Sequence, residues 1–158
     1  MAMCDVAQPL EAVGAAALLL GSGGVSVLHA AGVLRDALVR NTTASHLAAV
    51  FAPKAVGAAG LHALAAPLGL DALVLFSSIS SVLGNVGQSN YIAANCCMDT
   101  LARSRRAHAV AACTLQLPLV TGAGMGAETL AGAGLAEAEA SAVGALSLDE
   151  YAALVSAV

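Results

Sequence analysis

A serine, a tyrosine and an asparagine in the middle of the chain have the spacing to serve one reaction. Ser78 lies in a serine-rich turn, Tyr91 follows thirteen residues later, and Asn95 lies one helical turn beyond Tyr91. A serine hydroxyl can hold a carbonyl oxygen in place, and a phenol can protonate the oxyanion that remains when a hydride reduces a ketone. A phenol with a pKa near 10 needs a nearby cation for this, and Lys54 is the only lysine in the chain. Together the four residues predict a pocket that reduces a carbonyl group.

The elements that must position these residues alternate between strand and helix signals, which predicts an α/β fold with a parallel sheet. Ser78 then lies just beyond a strand, at the carboxyl edge of the sheet, where open α/β folds bind their ligands. Tyr91 and Asn95 share one face of the helix that follows. The predicted strands are 25–29, 73–76 and 109–117, and the predicted helices between them are 43–68, capped by Thr42 or Thr43, and 89–107, capped by Ser89 or Asn90.

Further elements are predicted towards both ends of the chain. The last helix has the clearest signal, because Ser147 and Glu150 have the spacing of a capping box. The others follow from short apolar runs and from glycine-rich stretches. These predicted elements are the end of a strand at 3–6, a helix at 9–20, a loop at 118–126, a weak helix at 128–135 and the capped helix at 148–158.

The composition argues against two classes of protein. Mean hydropathy is +0.84, yet alanine causes most of it, and no apolar run approaches the roughly 18–20 residues that span a bilayer. The start of the chain lacks the basic segment of a signal peptide, so the sequence predicts a soluble, cytoplasmic protein. A net charge of −4 argues against a nucleic-acid partner. The basic cluster at 103–106 is predicted to complement the dipole of the helix that it ends.

The cysteines and histidines do not have the spacing of metal ligands. The cysteines at 4, 96, 97 and 113 are predicted to be reduced thiols packed as small apolar groups. His29, at the end of a predicted strand, is expected to be a hydrogen-bonded core group. The other histidines, at 46, 62 and 108, are assigned no role, and no metal is predicted.

Three segments resemble the ketoreductase domain of polyketide synthases, which belongs to the short-chain dehydrogenase/reductase superfamily. They are residues 29–36, 76–78 and 87–95, and the resemblance runs from about Cys4 to Met125. It implies NADPH-dependent reduction of a β-ketoacyl group to a β-hydroxyacyl group. The implied partners are an acyl carrier protein, which holds the acyl chain on phosphopantetheine, and the other domains of a polyketide synthase.

The resemblance also implies roles for the four residues of the predicted pocket. Tyr91 matches the proton donor of the family, and Ser78 matches the serine that positions the carbonyl group. Lys54 matches the lysine that lowers the pKa of the tyrosine and contacts the nicotinamide ribose, and Asn95 completes the tetrad. Most members of the superfamily have their lysine four residues after the tyrosine, where this chain has Asn95.

Cofactor and substrate contacts are implied in the same way. Asp5 and Val6 match a pair that contacts the adenine, and the turn at 30–32 matches one that packs beside the cofactor. A substrate-side loop and lid are expected to begin near Met125, with residues 127–158 forming the lid and C-terminal helices. The full set comprises Asp5, Val6, Ala30, Ala31, Gly32, Lys54 and Tyr91 for the cofactor, and Asp36, Gln88 and Met125 for the substrate.

The departures from the family lead to expectations of their own. The glycine-rich turn that receives the pyrophosphate lies upstream in the family, and residues 122–126 resemble such a turn only with one glycine displaced. The predicted fold is therefore a partial Rossmann-like, doubly wound parallel sheet lacking its N-terminal strands, with residues 1–158 forming the catalytic half of a truncated domain. Residues 25–29 would then form an exposed edge strand, and the 158 residues alone are expected to bind NADPH weakly or not at all.

Three hypotheses follow from the sequence. The first is a catalytic ketoreductase, the second is an inactive structural remnant of such a domain, and the third is a nucleotide-binding domain with unrelated chemistry. If the domain is catalytic, the resemblance bears on the configuration of the product. One type of ketoreductase has a Leu-Asp-Asp signature, of which Leu34-Arg35-Asp36 keeps the last acid, and the other type has a tryptophan where this chain has Leu83. These two positions favour the D-configured alcohol as product.

Overall fold

A computed structural model describes residues 5–8, 25–134, 136, 139–140 and 144–157. The chain forms two compact units, Met1–Gln116 and Leu117–Val158, which are treated separately below. The helix predicted at 9–20 lies outside the described residues, as does the first half of the strand end predicted at 3–6. Asp5 and Val6 form a turn instead of a strand, because the Asp5 carboxylate accepts a hydrogen bond from the amide of Ala7 at 2.9 Å.

The first unit is built on a three-stranded parallel sheet, as predicted. Strand β1 is Ser26–His29, β2 is Ala72–Ser78 and β3 is Ala112–Leu117, in the spatial order β1-β2-β3. The register between the first two strands runs from Ser26 opposite Ala72 to His29 opposite Leu75. The apolar run of β2 is buried, which is what a central strand covered on both faces requires.

Strand β1 lies at one edge of the sheet formed by the described strands, as predicted. Side chains alternate between the two faces of a strand, so Val27 packs against the core while Ser26 and Leu28 project from the opposite face. That face is exposed among the described residues, and Leu28 is 53% exposed. The exposed edge expected at 25–29 is therefore found on the outward face, while the inward-facing side chains are partly or fully buried.

The helix predicted at 43–68 forms with an interruption that the sequence analysis missed. Helix α1 spans Ala44–Phe51, a π-helical segment spans Ala52–Val56, and α2 spans Gly57–Leu68. Thr43 caps α1 as predicted, since its hydroxyl accepts a hydrogen bond from the amide of His46. Proline at position 53 has no amide hydrogen to donate to the preceding turn, and the widened turn accommodates this loss.

Part of this helical run also corrects an expectation about membranes. Residues Ala44–Leu64 form a helix that is long and apolar enough to cross a membrane, by length and composition only, whereas the sequence analysis found no such run. Lys54, in the middle of the run, is buried and hydrogen-bonded to the sheet. The run therefore contacts the sheet through this side chain, although only 22% of its apolar window is buried.

Two helices follow β2. The short α3, Ser80–Leu83, was not predicted, whereas α4, Ser89–Ala107, has the predicted bounds. The N-cap of α4 is Gln88, not Ser89 or Asn90, and it makes no capping hydrogen bond with its side chain. Helix α4 packs over β2, and the resulting core contains Ala58, Leu73, Leu75, Met98 and Ala102.

The basic cluster at the end of α4 is only partly a complement to the helix dipole. Arg105 and Arg106 do lie in its last turn. Arg105, however, is buried, and its Nη1 lies 2.8 Å from Nδ1 of His62, a residue that was assigned no role. Beyond the helix, Ala109 adopts a positive φ of 57°, so β3 begins at Ala112 and not at residue 109.

The second unit contains two helices in its described part. Helix α5 spans Gly124–Ala133 and begins four residues before the predicted weak helix, which shortens the predicted glycine-rich loop. Helix α6 spans Leu148–Ser156, and both hydrogen bonds of the predicted capping box between Ser147 and Glu150 are present. The predicted boundary at residue 127 stays a prediction.

Candidate active site

Lys54 is held at the centre of the first unit by groups from two other elements. Its Nζ donates a hydrogen bond to the carbonyl oxygen of Phe76 at 3.2 Å and to Oδ1 of Asn95 at 3.0 Å. The ammonium also lies over the ring of Tyr91, 4.8 Å from the ring centroid. These contacts bring the lysine of the π-helical segment, the end of β2 and helix α4 to one place, as predicted for three of the four pocket residues.

Burial shifts the charge of this lysine towards neutrality. Lys54 is 3% exposed, and burial lowers its pKa from 10.5 to about 8, although the carboxylate of Asp99 acts in the opposite direction. Desolvation disfavours an ammonium in a region of low dielectric constant, and the carbonyl and amide oxygens that accept from Nζ are both neutral. At pH 7 the side chain still carries its proton.

Two neighbours fix the position of the lysine. At Gly32, an added Cβ would lie 2.9 Å from Cε of Lys54, so the close approach of this turn requires glycine. The ring Nε2 of His29 donates a hydrogen bond to the carbonyl oxygen of Lys54 at 3.1 Å, and burial lowers the pKa of that histidine. The expectation that His29 is a hydrogen-bonded core group is confirmed.

Ser78 lies at the carboxyl end of β2, where the sequence predicted it. Its Oγ accepts hydrogen bonds from the amide of Ser80 at 3.2 Å and from the hydroxyl of Ser80 at 3.0 Å. With its lone pairs engaged by two donors, the hydroxyl hydrogen of Ser78 is available for donation. That is the state in which a serine can hold a carbonyl oxygen.

Tyr91 remains a protonated phenol in this environment. Burial raises its pKa, and the carboxylate of Asp36 raises it further, while the side chains of Asn95 and Ser78 lower it. Asn95 is fully buried, and its Nδ2 has no hydrogen-bond partner among the described residues. The phenol thus keeps the proton that a donor must supply, and its pKa is raised, not lowered by Lys54 as the resemblance implied, because desolvation outweighs the other effects.

The two predicted substrate residues of the first unit contact each other. Nε2 of Gln88 donates to Oδ2 of Asp36 at 2.9 Å, and Gln88 is itself buried. Nδ2 of Asn90 donates to the carbonyl oxygen of Arg35 at 2.8 Å, and a backbone hydrogen bond joins Ala37 to Gly87. The start of helix α4 is thereby tied to the segment around Asp36, which brings that carboxylate towards the phenol.

The residues predicted to bind the cofactor lie at two places, directly after β1 and beside the π-helical segment. Ala30, Ala31 and Gly32 directly follow β1, and Gly32 packs on the buried lysine. An added Cβ at Gly57 would lie 3.0 Å from Cγ2 of Val6 and 3.2 Å from the ring of His29. Val6 therefore lies beside the π-helical segment.

The other groups singled out in the sequence are Met125, the cysteines and the potential metal ligands. Met125 lies in helix α5 of the second unit, and its substrate role stays a prediction. Cys96 and Cys97 are free but exposed, so the expectation that they pack as small apolar groups is wrong for this pair. Cys113 is free and half-buried. No cluster of three or more potential metal ligands occurs within the described ranges.

Sequence analysis missed two polar residues that shape the site. Asn90 is buried and joins the first turn of α4 to residue 35, although it had been considered only as a cap. Asp99 exerts a charge effect on Lys54, and it lies four residues after Asn95 and eight after Tyr91. That spacing on one helix was the signal that could have found it.

Comparison with known proteins gives consistent matches. A family model described as the KR domain matches residues 1–122. The polyketide synthase GfsA of Streptomyces halstedii is 44% identical over 98% of this chain and 2% of the synthase. The first ketoreductase of the tylosin PKS is 40% identical with a TM-score of 0.69, over 81% of this chain and 29% of that one. A solved A1-type ketoreductase is 35% identical with a TM-score of 0.77, over 85% and 29% of the two chains.

Proposed function

The chain belongs to the ketoreductase (KR) domain family of polyketide synthases, within the short-chain dehydrogenase/reductase superfamily, and from that premise we propose that it reduces a β-ketoacyl thioester to a β-hydroxyacyl thioester. The observation that carries the proposal is the convergence of Ser78, Lys54, Tyr91 and Asn95 at the carboxyl end of β2. The chain spans 29% of the solved ketoreductase chains named above, so the reaction of the whole protein is part of this proposal.

In the proposed reaction, two hydroxyl groups act on the ketone oxygen. Ser78 donates its hydroxyl hydrogen to the carbonyl oxygen and fixes its orientation, because Ser80 already occupies the acceptor capacity of Ser78. Tyr91 then transfers its phenolic proton to the oxyanion that forms. Its raised pKa keeps the proton on the phenol before the reaction, and the Lys54 ammonium would have to offset that rise when the proton is transferred.

Lys54 and Asn95 would control the proton balance of the tyrosine. When Tyr91 gives up its proton, the nearby ammonium stabilises the phenolate through space. The free Nδ2 of Asn95 and the third hydrogen of the Lys54 ammonium offer donors to a ligand at the same place. These observations fit a nicotinamide cofactor, and we assign its reacting end to Lys54 and Tyr91.

NADPH is the cofactor that we propose, and when bound it supplies the hydride. Residues 30–32 would line its path beyond β1, and Val6 would lie near its adenine end. Asp5 is a proposed contact of the adenine as well, and its carboxylate has acceptor capacity beyond the amide of Ala7.

The substrate and partners of the proposed reaction come from the family. We propose that the acyl group is carried by the phosphopantetheine of an acyl carrier protein, and that other domains of a cytoplasmic polyketide synthase adjoin this one. The pair of Asp36 and Gln88 would face the acyl chain close to Tyr91, with no role for nucleic acid or a membrane. Met125 remains a proposed substrate contact.

The test is NADPH consumption by the full protein with a short β-ketoacyl thioester. Wild-type protein should turn over, and Tyr91→Phe should lose on the order of 10²-fold to 10⁴-fold in rate while still binding NADPH. Tyr151→Phe, the only other tyrosine of the chain, is the matched control and should keep its rate. Near-normal turnover by Tyr91→Phe would remove Tyr91 from its role, and a wild-type protein that neither binds NADPH nor turns over would favour the inactive remnant.

A further inference from the structure

Lys54 is a buried cation without an anionic hydrogen-bond partner among the described residues. The groups that receive its hydrogens are a backbone carbonyl and an amide oxygen, both neutral. A charge in this setting loses its water and gains only partial compensation from dipoles. A reaction that needs the charged ammonium therefore needs a negative charge elsewhere. That charge must lie near Lys54 and be held in a fixed position.

Asp99 supplies that potential from the next turn of helix α4. Tyr91, Asn95 and Asp99 are spaced four residues apart, so each lies about 6 Å along the helix from the one before and on a neighbouring part of its surface. Asn95, one turn before Asp99 on this helix, contacts the lysine directly, since its Oδ1 accepts from Nζ. The carboxylate of Asp99 acts on Lys54 through space from the adjacent turn.

The carboxylate of Asp99 is fixed from two other elements. Its Oδ2 accepts from the hydroxyl of Ser81 at 2.7 Å and from Nε2 of Gln116 at 2.8 Å, and the same Nε2 lies 3.2 Å from the Ser81 hydroxyl oxygen. Its Oδ1 is buried and has no hydrogen-bond partner among the described residues. Ser81 comes from α3 and Gln116 from β3, so this triangle joins both to α4 and restricts the movement of the charge.

We propose that Asp99, anchored by Ser81 and Gln116, is a positioning residue that keeps the Lys54 ammonium charged and in place for the reaction at Tyr91. The inference rests on the proposed ketoreductase function, which gives the ammonium its task. Asp99 itself does not touch the reacting groups. Asp99 lines a pocket of about 390 Å³, together with Cys96, Arg103 and Arg106 among others.

Several charged or titratable groups act on the same lysine or its neighbours, and the test must separate them. His29 contacts the backbone of Lys54 and opposes its charge when protonated, while Tyr91 lies under its ammonium. The carboxylate of Asp36 acts on Tyr91. Arg103, Arg106 and Cys96 line the same pocket as Asp99. Direct titration of one lysine resonance avoids assigning a rate profile to the wrong group.

The experiment is an NMR titration of the full protein labelled with [ε-¹³C]lysine, in which the Lys54 signal is identified by its loss in Lys54→Arg. The midpoint should lie near pH 8 in the wild type and fall by about one pH unit in Asp99→Asn, because the variant removes the charge and keeps the shape. Asp71→Asn removes an exposed carboxylate elsewhere in the same unit and should leave the midpoint unchanged. Ser81→Ala, which loosens the carboxylate without removing it, should give a smaller fall.

Turnover is measured in parallel, so that failure of the Asp99 proposal can be distinguished from failure of the proposed ketoreductase function. If Asp99→Asn lowers both the Lys54 midpoint and the pH above which the rate declines, the inference stands. An unchanged midpoint in a folded Asp99→Asn protein overturns it, whatever the rate does. If that variant unfolds, an unchanged midpoint in Ser81→Ala overturns it instead. Wild-type protein without reductase activity would refute the proposed function, while the shift of the midpoint would still report the charge coupling.

Discussion

Replacing the buried lysine should reveal how much stability this charge costs. The pKa of Lys54 is about 8 in the folded protein and its usual 10.5 in an unfolded chain, a difference of about 2.5 pH units. At 1.36 kcal/mol per unit, holding the ammonium in the folded state costs about 3 kcal/mol at neutral pH. Methionine is unbranched, apolar and of similar length, so Lys54→Met removes the charge and the titration with little change in volume.

The sign of the pH effect follows from proton binding. Below pH 8 Lys54 carries its proton in both the folded and the unfolded chain, so its titration does not change the free energy of unfolding. Between about 8 and 10.5 the unfolded chain binds more protons, so the free energy of unfolding rises with pH. From pH 7 to pH 9.5, the wild type should gain about 2 kcal/mol relative to Lys54→Met.

The assay is urea unfolding followed by circular dichroism at pH 7 and at pH 9.5 for the wild type and for Lys54→Met. Comparing the two proteins at each pH cancels the titration of groups that they share. Lys54→Arg is the control, because it keeps a cation that does not titrate in this range and should show no relative gain. Wild-type and Lys54→Met stabilities that change in parallel with pH would refute the burial argument.

Three further predictions follow from the same structure. Gly32→Ala should displace the buried lysine, because the new Cβ would lie 2.9 Å from its Cε, and should lower turnover at least tenfold. Gly60→Ala in helix α2 is the control, because an added Cβ there meets open space. It should keep the rate and raise the free energy of thermal unfolding by up to about 1 kcal/mol. Asp36→Asn should lower the pKa of Tyr91, measured by ultraviolet difference titration against the Tyr91→Phe background, and an unchanged value would remove Asp36 as a cause. Ser147→Ala should destabilise helix α6 by about 1 kcal/mol, seen as earlier exchange of its amides, because it removes the capping box, and unaltered exchange would contradict this.

The parts of the site that could be predicted from sequence depend on local spacing. The offset of four residues between Tyr91 and Asn95 fixes their common helix face, and the strand before Ser78 fixes its place at the sheet edge. The capping box at Ser147 is equally local. For such features the backbone geometry within one or two turns determines the outcome, so a single sequence is enough.

The features that were missed depend on contacts between distant segments. The pairing of Asp36 with Gln88 joins residues 52 positions apart, and the anchoring of Asp99 by Gln116 joins two different elements. No periodic pattern in the sequence encodes such pairs. The π-helical segment at Lys54 lies between these two classes of feature. The proline at position 53 indicates an irregular turn from local sequence, but it does not determine the form of that turn.

Burial has opposite effects on the two central groups, and this explains why both must occupy the same place. Desolvation lowers the pKa of Lys54 and raises that of Tyr91, because each loses its charged form in a medium of low dielectric constant. An isolated phenolate there would be costly, and so would an isolated ammonium. When the tyrosine releases its proton beside the charged lysine, each charge offsets the desolvation of the other. The site thus favours proton release only when the ammonium is present, which makes the stability cost of Lys54 a direct consequence of its proposed role.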